Sequence, residues 1–439
     1  MLETFRTAWK VEDLRKKIIY TLIMLLIYRV GSVIPTPGVN VDYIAQQVNN
    51  ISMLGMLDFI NGQNFSNFTI FAMGISPYIT SSIIMQLLTI AIPSLERLQK
   101  EGEEGRKKIQ QVTRVLTVAL ALIQSVSMAI GFGSNYLNKY TWYNVLLVAI
   151  IMTAGSAVLM WIGERITARG VGNGISMILL FNIISGLPDD LMTMYKTFVK
   201  GKNIAFGIVI TVVILALLFA LVVYVVYLQD GERRISVQYA KKMQGRKMVG
   251  GQSSHIPMKV NTAGVIPVIF ASSLLSVPAI IASFAGMNIT NPTSVGGHII
   301  KGLSQSSWCN PKEPIYTLGL ILYLVLLVFF AYFYTSITFN PLEIADNMKK
   351  QGGFIPGIRP GKPTSDYLDK VLNYVVFIGA IGLMIVALIP IVLTGLAGVG
   401  NSLCFFGTSL IIIVGVVLET LKQIESMMLV RNYKGFLND

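Results

Sequence analysis

Residues 57–92 read LDFINGQNFSNFTIFAMGISPYITSSIIMQLLTIAI. The later part, Ile70–Ile92, carries no charge. It is long enough to cross a bilayer as a helix, which takes about 20 mostly apolar residues. The earlier part, LDFINGQNFSNFT, is too short and too polar to cross, and its one charge is Asp58. Yet it is not patterned as a bare loop, because Leu57, Phe59, Ile60, Phe65 and Phe68 recur through it. A half-length, half-polar segment thus runs straight into a membrane span. What it does there is the question on which the fold turns.

The surrounding sequence is that of an integral membrane protein. Of 439 residues, 53% are hydrophobic and only 13% charged, with a mean hydropathy of +0.64. Soluble domains do not have this composition. Seven uncharged or nearly uncharged runs qualify as spans: Ile70–Ile92, Val115–Leu137, Asn144–Gly163, Ile204–Leu228, Ala263–Gly286, Ile315–Phe339 and Val371–Thr394. Ile18–Pro35, which contains Arg29, Val171–Leu187, which is short, and Leu403–Leu421 bring the expected count to ten. The first 17 residues lack the continuous apolar stretch of a cleaved signal peptide. Leu2, Phe5 and Trp9 stand at helical spacing among basic residues, which suits a helix lying in the membrane interface. A basic tail that only orients the first span is the competing reading.

The formal charge of +13 is explained by topology. When ends and loops alternate between two sides, the side of the N-terminus collects 28 Lys and Arg and the other side six. Positive charge accumulates on the cytoplasmic face, so both termini are expected there. An even number of spans agrees. Two cysteines, Cys309 and Cys404, cannot form a disulfide framework.

Several chemistries have no support. There is no expected metal site or cofactor: the two histidines, His255 and His298, lie in loops on opposite sides. No nucleophile elbow, Walker loop or intramembrane carboxylate pair is visible. The glycine-rich Gly170–Ser176, GVGNGIS, lacks the Lys-Ser/Thr ending of a phosphate loop and reads as a tight turn into a helix. Apart from the charged end of the last run, Leu403–Leu421, only Arg29 is charged inside a span, whereas ion-coupled transporters and pumps carry charge at membrane depth. The cargo is therefore not expected to be a small ion.

Two cytoplasmic loops are long and patterned. Residues 229–261 alternate polar and apolar side chains around Arg234–Tyr239, which predicts a hairpin. Residues 340–370 begin with a helical pattern and end in Pro356-Gly357-Ile358-Arg359-Pro360-Gly361, a stiff exposed tip. Basic protruding loops suit docking of an acidic or RNA-containing partner; membrane topology alone accounts for their sign but not their length.

These features converge with a set of ordered motifs. IYRVGSVIPTPGVN (27–40), GISPYITSSIIMQLL (74–88), KEGEEGRKKIQQVTR (100–114), GNGIS (172–176), AGVIPVIFASS (263–273), FNPLEIADNMKKQGGFIPGIRPG (339–361) and FGTSLIIIVGVV (406–417) appear in that order. Over essentially the whole chain the sequence resembles the SecY/Sec61-alpha family, the pore subunits of the Sec protein translocase. The resemblance implies an all-α integral membrane protein with ten transmembrane helices in two inverted five-helix halves around a central pore. The corresponding divisions are an amphipathic segment 1–17, a first half 18–190, a second half 191–421 with docking loops 229–261 and 340–370, and a tail 422–439. The function implied is passage of unfolded secretory chains across the bacterial plasma membrane and sideways release of transmembrane segments into lipid. The implied partners are SecE, SecG, the motor ATPase SecA, the ribosome, nascent chains bearing signal sequences, and membrane lipid.

The resemblance also answers the opening question: the segment before the second span is the plug, a short re-entrant helix that fills the outer funnel of the idle channel. Its body is Leu57, Asp58, Phe59, Ile60, Asn61, Gly62, Gln63, Asn64 and Phe65. Apolar side chains are expected to face the constriction while Asn61, Gln63, Asn64, Ser66 and Asn67 face water. Irregular backbone at membrane depth is tolerated only where it is buried in protein or lines a cavity. The family's pore ring falls on Ile75, Ile79, Ile175, Leu179, Ile269 and Ile412. Ile75 with Ile79, and Ile175 with Leu179, are four residues apart and share a helix face, although isoleucines at this spacing also serve simply to face lipid. The lateral gate falls on Thr80, Ser81, Gln86, Gln124, Ser273, Ser276 and Val277, with Ser82, Ser125 and Ser272 beside them. Hydroxyl and amide contacts across such a seam are worth about 0.6 kcal/mol each, weak enough to be exchanged. Pro77, Pro267 and Pro278 are expected to permit bends nearby. Arg246, Lys247 and Arg359 fall on the docking loops.

Two readings from other classes predict different residues. A secondary transporter of a small solute needs charged or coordinating groups at mid-membrane. An intramembrane enzyme needs a polar catalytic pair. Neither set is visible in the spans.

Overall fold

The computed structural model describes residues 2–50, 58, 61–131, 136–137, 140–198, 204–239, 242–244, 247–249, 253–284, 295–303, 307–309, 313–397 and 405–435. A short helix α1 (Leu2–Lys10) precedes α2 (Glu12–Gly31) and α3 (Val41–Asn50). Next come α4 (Ser76–Ala91), α5 (Pro93–Lys100), α6 (Glu103–Gly131), α7 (Trp142–Arg169), α8 (Gly174–Phe198) and α9 (Ile204–Asp230). Strands β1 (Glu232–Tyr239), β2 (Lys242–Gln244), β3 (Lys247–Val249) and β4 (Ser253–Lys259) lead to α10 (Ile266–Phe284) and α11 (Val295–Leu303). The chain ends with α12 (Leu318–Thr338), α13 (Pro341–Lys350), β5 (Gly353–Phe354), α14 (Lys362–Ala397) and α15 (Phe405–Gly435).

Each of the ten expected spans overlaps one helix, α2, α4, α6–α10, α12, α14 or α15, although the first six residues of the second, Ile70–Ile75, are turns and leave α4 only 16 residues long. By length and composition alone, four stretches qualify as membrane-crossing, or five if the bent pair α4–α5 is one span. That pair turns by 101°. The cause is local: Ile92, held extended at φ −111°, ψ 111°, precedes Pro93, and a residue before proline is driven out of the helical region. Pro77 and Pro267 do not bend their helices as expected. Each sits in the first turn of its helix, α4 and α10, where the missing N–H would have no helical acceptor anyway. Pro278 alone of the three lies inside a helix.

Helix surfaces divide cleanly into buried and lipid-type faces. On α2, Leu14, Ile18, Leu25 and Tyr28 are buried while Leu22, Ile23 and Leu26 are exposed, the spacing of one packed stripe. Helices α6 and α7 pack along each other and are joined at one end by Arg114 Nε to Glu164 Oε1, 2.8 Å. Helices from the first and last five spans meet where α15 packs on α8 and α10 on α6.

The two long loops, 229–261 and 340–370, fold together. As the alternation in 229–261 predicts, β1 and β4 form an antiparallel ladder, with Ile235 opposite Ile256. β5, from the second loop, adds to the other edge, giving the order β4-β1-β5. Ile235, Val237, Met348 and Ile355 share one apolar cluster with Leu368 and Leu372 of α14. Helix α13 starts at Asn340, whose side chain accepts from the N–H groups of Leu342 and Glu343, a cap worth about 1 kcal/mol.

Candidate pore, plug and gate

The segment before α4 is the first site the sequence singled out. Leu57, Phe59 and Ile60 lie outside the described residues. Asp58 is helical, but from residue 61 to 75 the backbone is a series of turns, so the helix expected over 57–68 does not run through 61–68. Gly62 (φ 64°), Gln63 (φ 63°), Phe68 (φ 41°) and Gly74 (φ 58°) adopt left-handed conformations, which a right-handed helix cannot contain. Asp58 holds the fold of this loop. Its Oδ1 accepts from Phe65 N at 3.0 Å and Ser66 N at 2.8 Å, and its Oδ2 from Ser66 Oγ at 2.6 Å. Burial pushes the Asp58 carboxyl above the usual carboxylate range, and the Ser66 hydroxyl and the two N–H groups pull against that. The far end is pinned to the segment after α2 by Thr36 N to Phe68 O, 2.9 Å, and Ile70 N to Ile34 O, 3.0 Å.

The polar residues of this segment do not face water as a group. Asn61 and Asn64 are only 3% and 2% exposed, and of the five only Asn67 is exposed. The inward amides are bonded. Asn61 Nδ2 donates to Ala72 O at 3.0 Å. Asn64 Nδ2 donates to Asn61 O at 2.6 Å and to the Tyr28 hydroxyl at 2.7 Å. That hydroxyl in turn donates to Asn182 Oδ1 on α8. Sequence reasoning missed Tyr28 and Asn182. A lone Asn in the apolar run of α8 was the available signal, since a polar group in such a helix needs a partner.

Of the expected ring, Ile75, Ile79 and Ile175 come together in one cluster with Phe71, Ile162, Ile166 and Ile178. Ile75 is 2% exposed and caps the start of α4, while Leu179 is buried one turn beyond Ile175. Ile269 on α10 and Ile412 on α15 are half-buried and flank residues of a second cluster, which includes Val268, Phe270, Ile411 and Val414. Ile83 of α4 packs on that second cluster.

Among the described residues, several of the expected gate side chains bond within their own helices. Thr80 donates to Ser76 O, Ser81 to Pro77 O, Ser272 to Val268 O and Ile269 O, and Gln86 to Ser82 Oγ. Ser125 instead faces α7, where it meets Ala149 O and Thr153 Oγ1. Hydroxyls in a helix reach their own i−4 carbonyls at little cost. Gln124, Ser273 and Val277 are half-buried, and Ser276 lies on α10 with its side chain outside the described residues. Gln86 Oε1 is buried with no hydrogen-bond partner among the described residues.

The glycine-rich turn proves to be a junction. Val171 N donates to Thr21 Oγ1 of α2 at 3.0 Å, Gly172 N to Gln423 Oε1 of α15 at 2.7 Å, and Gly174 N to Thr167 Oγ1 of α7 at 2.8 Å. Three helices thus take the free N–H groups that precede α8. The expected docking residues are exposed where described: Arg359 sits on the tip between Gly357 (φ 82°) and Gly361 (φ 103°). Arg246 lies outside the described residues, and of Lys247 only the backbone, in β3, is described. Arg29 is exposed and reaches Ser185 Oγ at 3.4 Å. Cys309 is a free thiol whose pKa burial raises; Cys404 lies outside the described residues.

A family model for SecY matches residues 69–421. The chain belongs to the SecY family. The protein translocase subunit SecY of Streptomyces galbus is 45% identical over the full length of both chains. Among solved structures, one described as a protein-conducting channel superposes with a TM-score of 0.63 at 19% identity, covering 94% of this chain and 92% of that one. Another, of a SecY protein whose plug domain is described as stabilising the closed state, gives 0.61 at 20% identity over 94% and 92%. This SecY-family chain is the pore subunit of a Sec protein-conducting channel: a multi-pass membrane conduit, not an enzyme.

Proposed function

We propose that the chain passes unfolded secretory polypeptides through a pore between two five-helix halves, 18–190 and 191–421. In the same reading it releases transmembrane segments sideways between α4, α6, α10 and α12. The observation that carries this reading is the turn-rich segment 61–75, packed beside α2 and α8 and ending at Ile75 in an apolar cluster. Such a segment closes a path; a helix bundle without a path has no use for it. Ile75, Ile79, Ile175, Leu179, Ile269 and Ile412 form the constriction, which excludes ions by dewetting and offers a passing chain no specific contact. SecA or the ribosome docks on the basic cytoplasmic loops around Arg246, Lys247 and Arg359. SecE clamps the halves and SecG accompanies them. The membrane is the bacterial plasma membrane, with both termini cytoplasmic.

A stalled-chain crosslink tests this. A single cysteine at position 269, with Cys309 and Cys404 replaced, is reconstituted with SecE and SecA. A secretory chain bearing one cysteine is stalled by a folded domain at its end. A disulfide requiring both ATP and the signal sequence is expected. Silence at 269 with crosslinks at the cytoplasmic mouth overturns the ring. Silence everywhere, with no protease-protected chain, overturns the channel reading for this molecule and makes uptake of a small solute the next assay.

A further inference from the structure

Polar side chains in a plug would ordinarily be expected to keep it soluble in a wet funnel. Here two of them are turned inward and each is bonded. Asn64, Tyr28 and Asn182 are 2%, 1% and 2% exposed, so their bonds are dry. The chain of donors has one direction. Asn64 Nδ2 donates to the Tyr28 hydroxyl, which donates to Asn182 Oδ1. Three separate elements are joined: the turn-rich segment, α2 and α8. The backbone is shaped for the approach. A Cβ on Gly62 would lie 3.0 Å from Ser185 Oγ and 3.1 Å from both Cα and O of Asn182, so the segment rests directly on α8. The Tyr28 ring is itself fixed, stacked on Phe71 at 5.7 Å and edge-on to Phe181 at 6.2 Å.

We propose that Tyr28, Asn64 and Asn182 are a latch that fixes the closed position of the plug. The proposal rests on the plug reading given above. Apolar contact is nondirectional and would hold the segment in many nearby positions, whereas hydrogen bonds in a dry site select one. The same bonds suit a reversible closure. Each partner regains a hydrogen bond from water once the funnel is wetted, so release costs little more than the exchange. The three residues are positioning residues: they touch the plug and its seat, not the moving chain.

The test is ion conductance of the full-length channel, reconstituted with the subunits that purify with it and without any secretory chain. Tyr28→Phe removes one oxygen and keeps the ring stack. Losing one such bond corresponds to about a tenfold rise in resting conductance. Asn182→Ser shortens the acceptor and is expected to raise it similarly. Since the bonds form one relay, the double variant should exceed the larger single effect by less than about twofold. Thermal unfolding should be unchanged within a few degrees, and a cysteine at exposed position 67 should react faster with an impermeant maleimide added from outside. A control replaces residues 61–68 by a Gly-Ser linker. If the control leaks while Tyr28→Phe and Asn182→Ser stay as tight as the parent, the latch is wrong and the plug stands. If the control is as tight as the parent, the plug reading fails and takes the latch with it.

Discussion

Replacing Asp58 by alanine should loosen the plug loop without unfolding the channel. In the native structure one carboxylate receives two backbone N–H groups and a hydroxyl, at 3.0, 2.8 and 2.6 Å. Alanine leaves the N–H groups of Phe65 and Ser66 without their acceptor. Phe65 is buried and Ser66 half-buried. Each stranded donor costs about 1–3 kcal/mol when fully dry, and water reaching Ser66 lowers the second figure. The Ser66 hydroxyl keeps a partner in Gln63 O at 3.3 Å. A total of about 2–4 kcal/mol for the local fold follows from these terms. At about 1.4 kcal/mol per tenfold, that increases the open-loop population by roughly 30- to several-hundred-fold. Asp58→Asn retains an Oδ1 acceptor for both N–H groups and should lie within about tenfold of the parent. The assay pairs resting conductance with maleimide labelling of a cysteine at position 67, on a background without Cys309 and Cys404. Equal conductance and labelling for Asp58→Ala and the parent, in protein with an unchanged melting temperature, would refute the assignment of Asp58 as organiser of the loop. Equal, large effects of the alanine and asparagine variants would show that charge, not acceptor geometry, is what matters.

Three further outcomes follow from the same structure. Gly174→Ala places a Cβ 1.9 Å from Gly163 O, backbone against backbone, so α7 and α8 must separate; overpacking of this kind costs about 1–3 kcal/mol, and the melting temperature in detergent should fall measurably. Gln423→Ala removes the acceptor for Gly172 N at 2.7 Å and should cost about 1 kcal/mol in the same measurement, whereas Gln423→Glu keeps an acceptor and should cost less; identical melting for all three proteins would remove the junction from the account. Arg359→Glu changes an exposed side chain, so stability should stay within about 0.5 kcal/mol, while binding of the cytosolic motor or ribosome to reconstituted channels should weaken; unchanged binding would move the docking contact off this tip.

The sequence alone determined the class of molecule. Uncharged runs of span length follow directly from the cost of placing polar groups in hydrocarbon, and each run holds a helix in the structure. The hairpin in 229–261 and the helix that opens 340–370 were legible for the same kind of reason, because alternation and helical periodicity are local properties. What the sequence could not decide was which way a polar residue faces. Asn61 and Asn64 look like water-facing residues until Tyr28, 36 positions from Asn64, and Asn182, 154 from Tyr28, are brought beside them. Thr80 and Ser81 look like cross-helix ties until their own carbonyls prove to be their partners. The glycine-rich turn looks like a bare bend until Thr21, Thr167 and Gln423 arrive from three helices. In a membrane protein the apolar pattern is set by the solvent, which acts on every residue independently. The pairing of the few polar groups is set by long-range packing, and only the tertiary structure contains it.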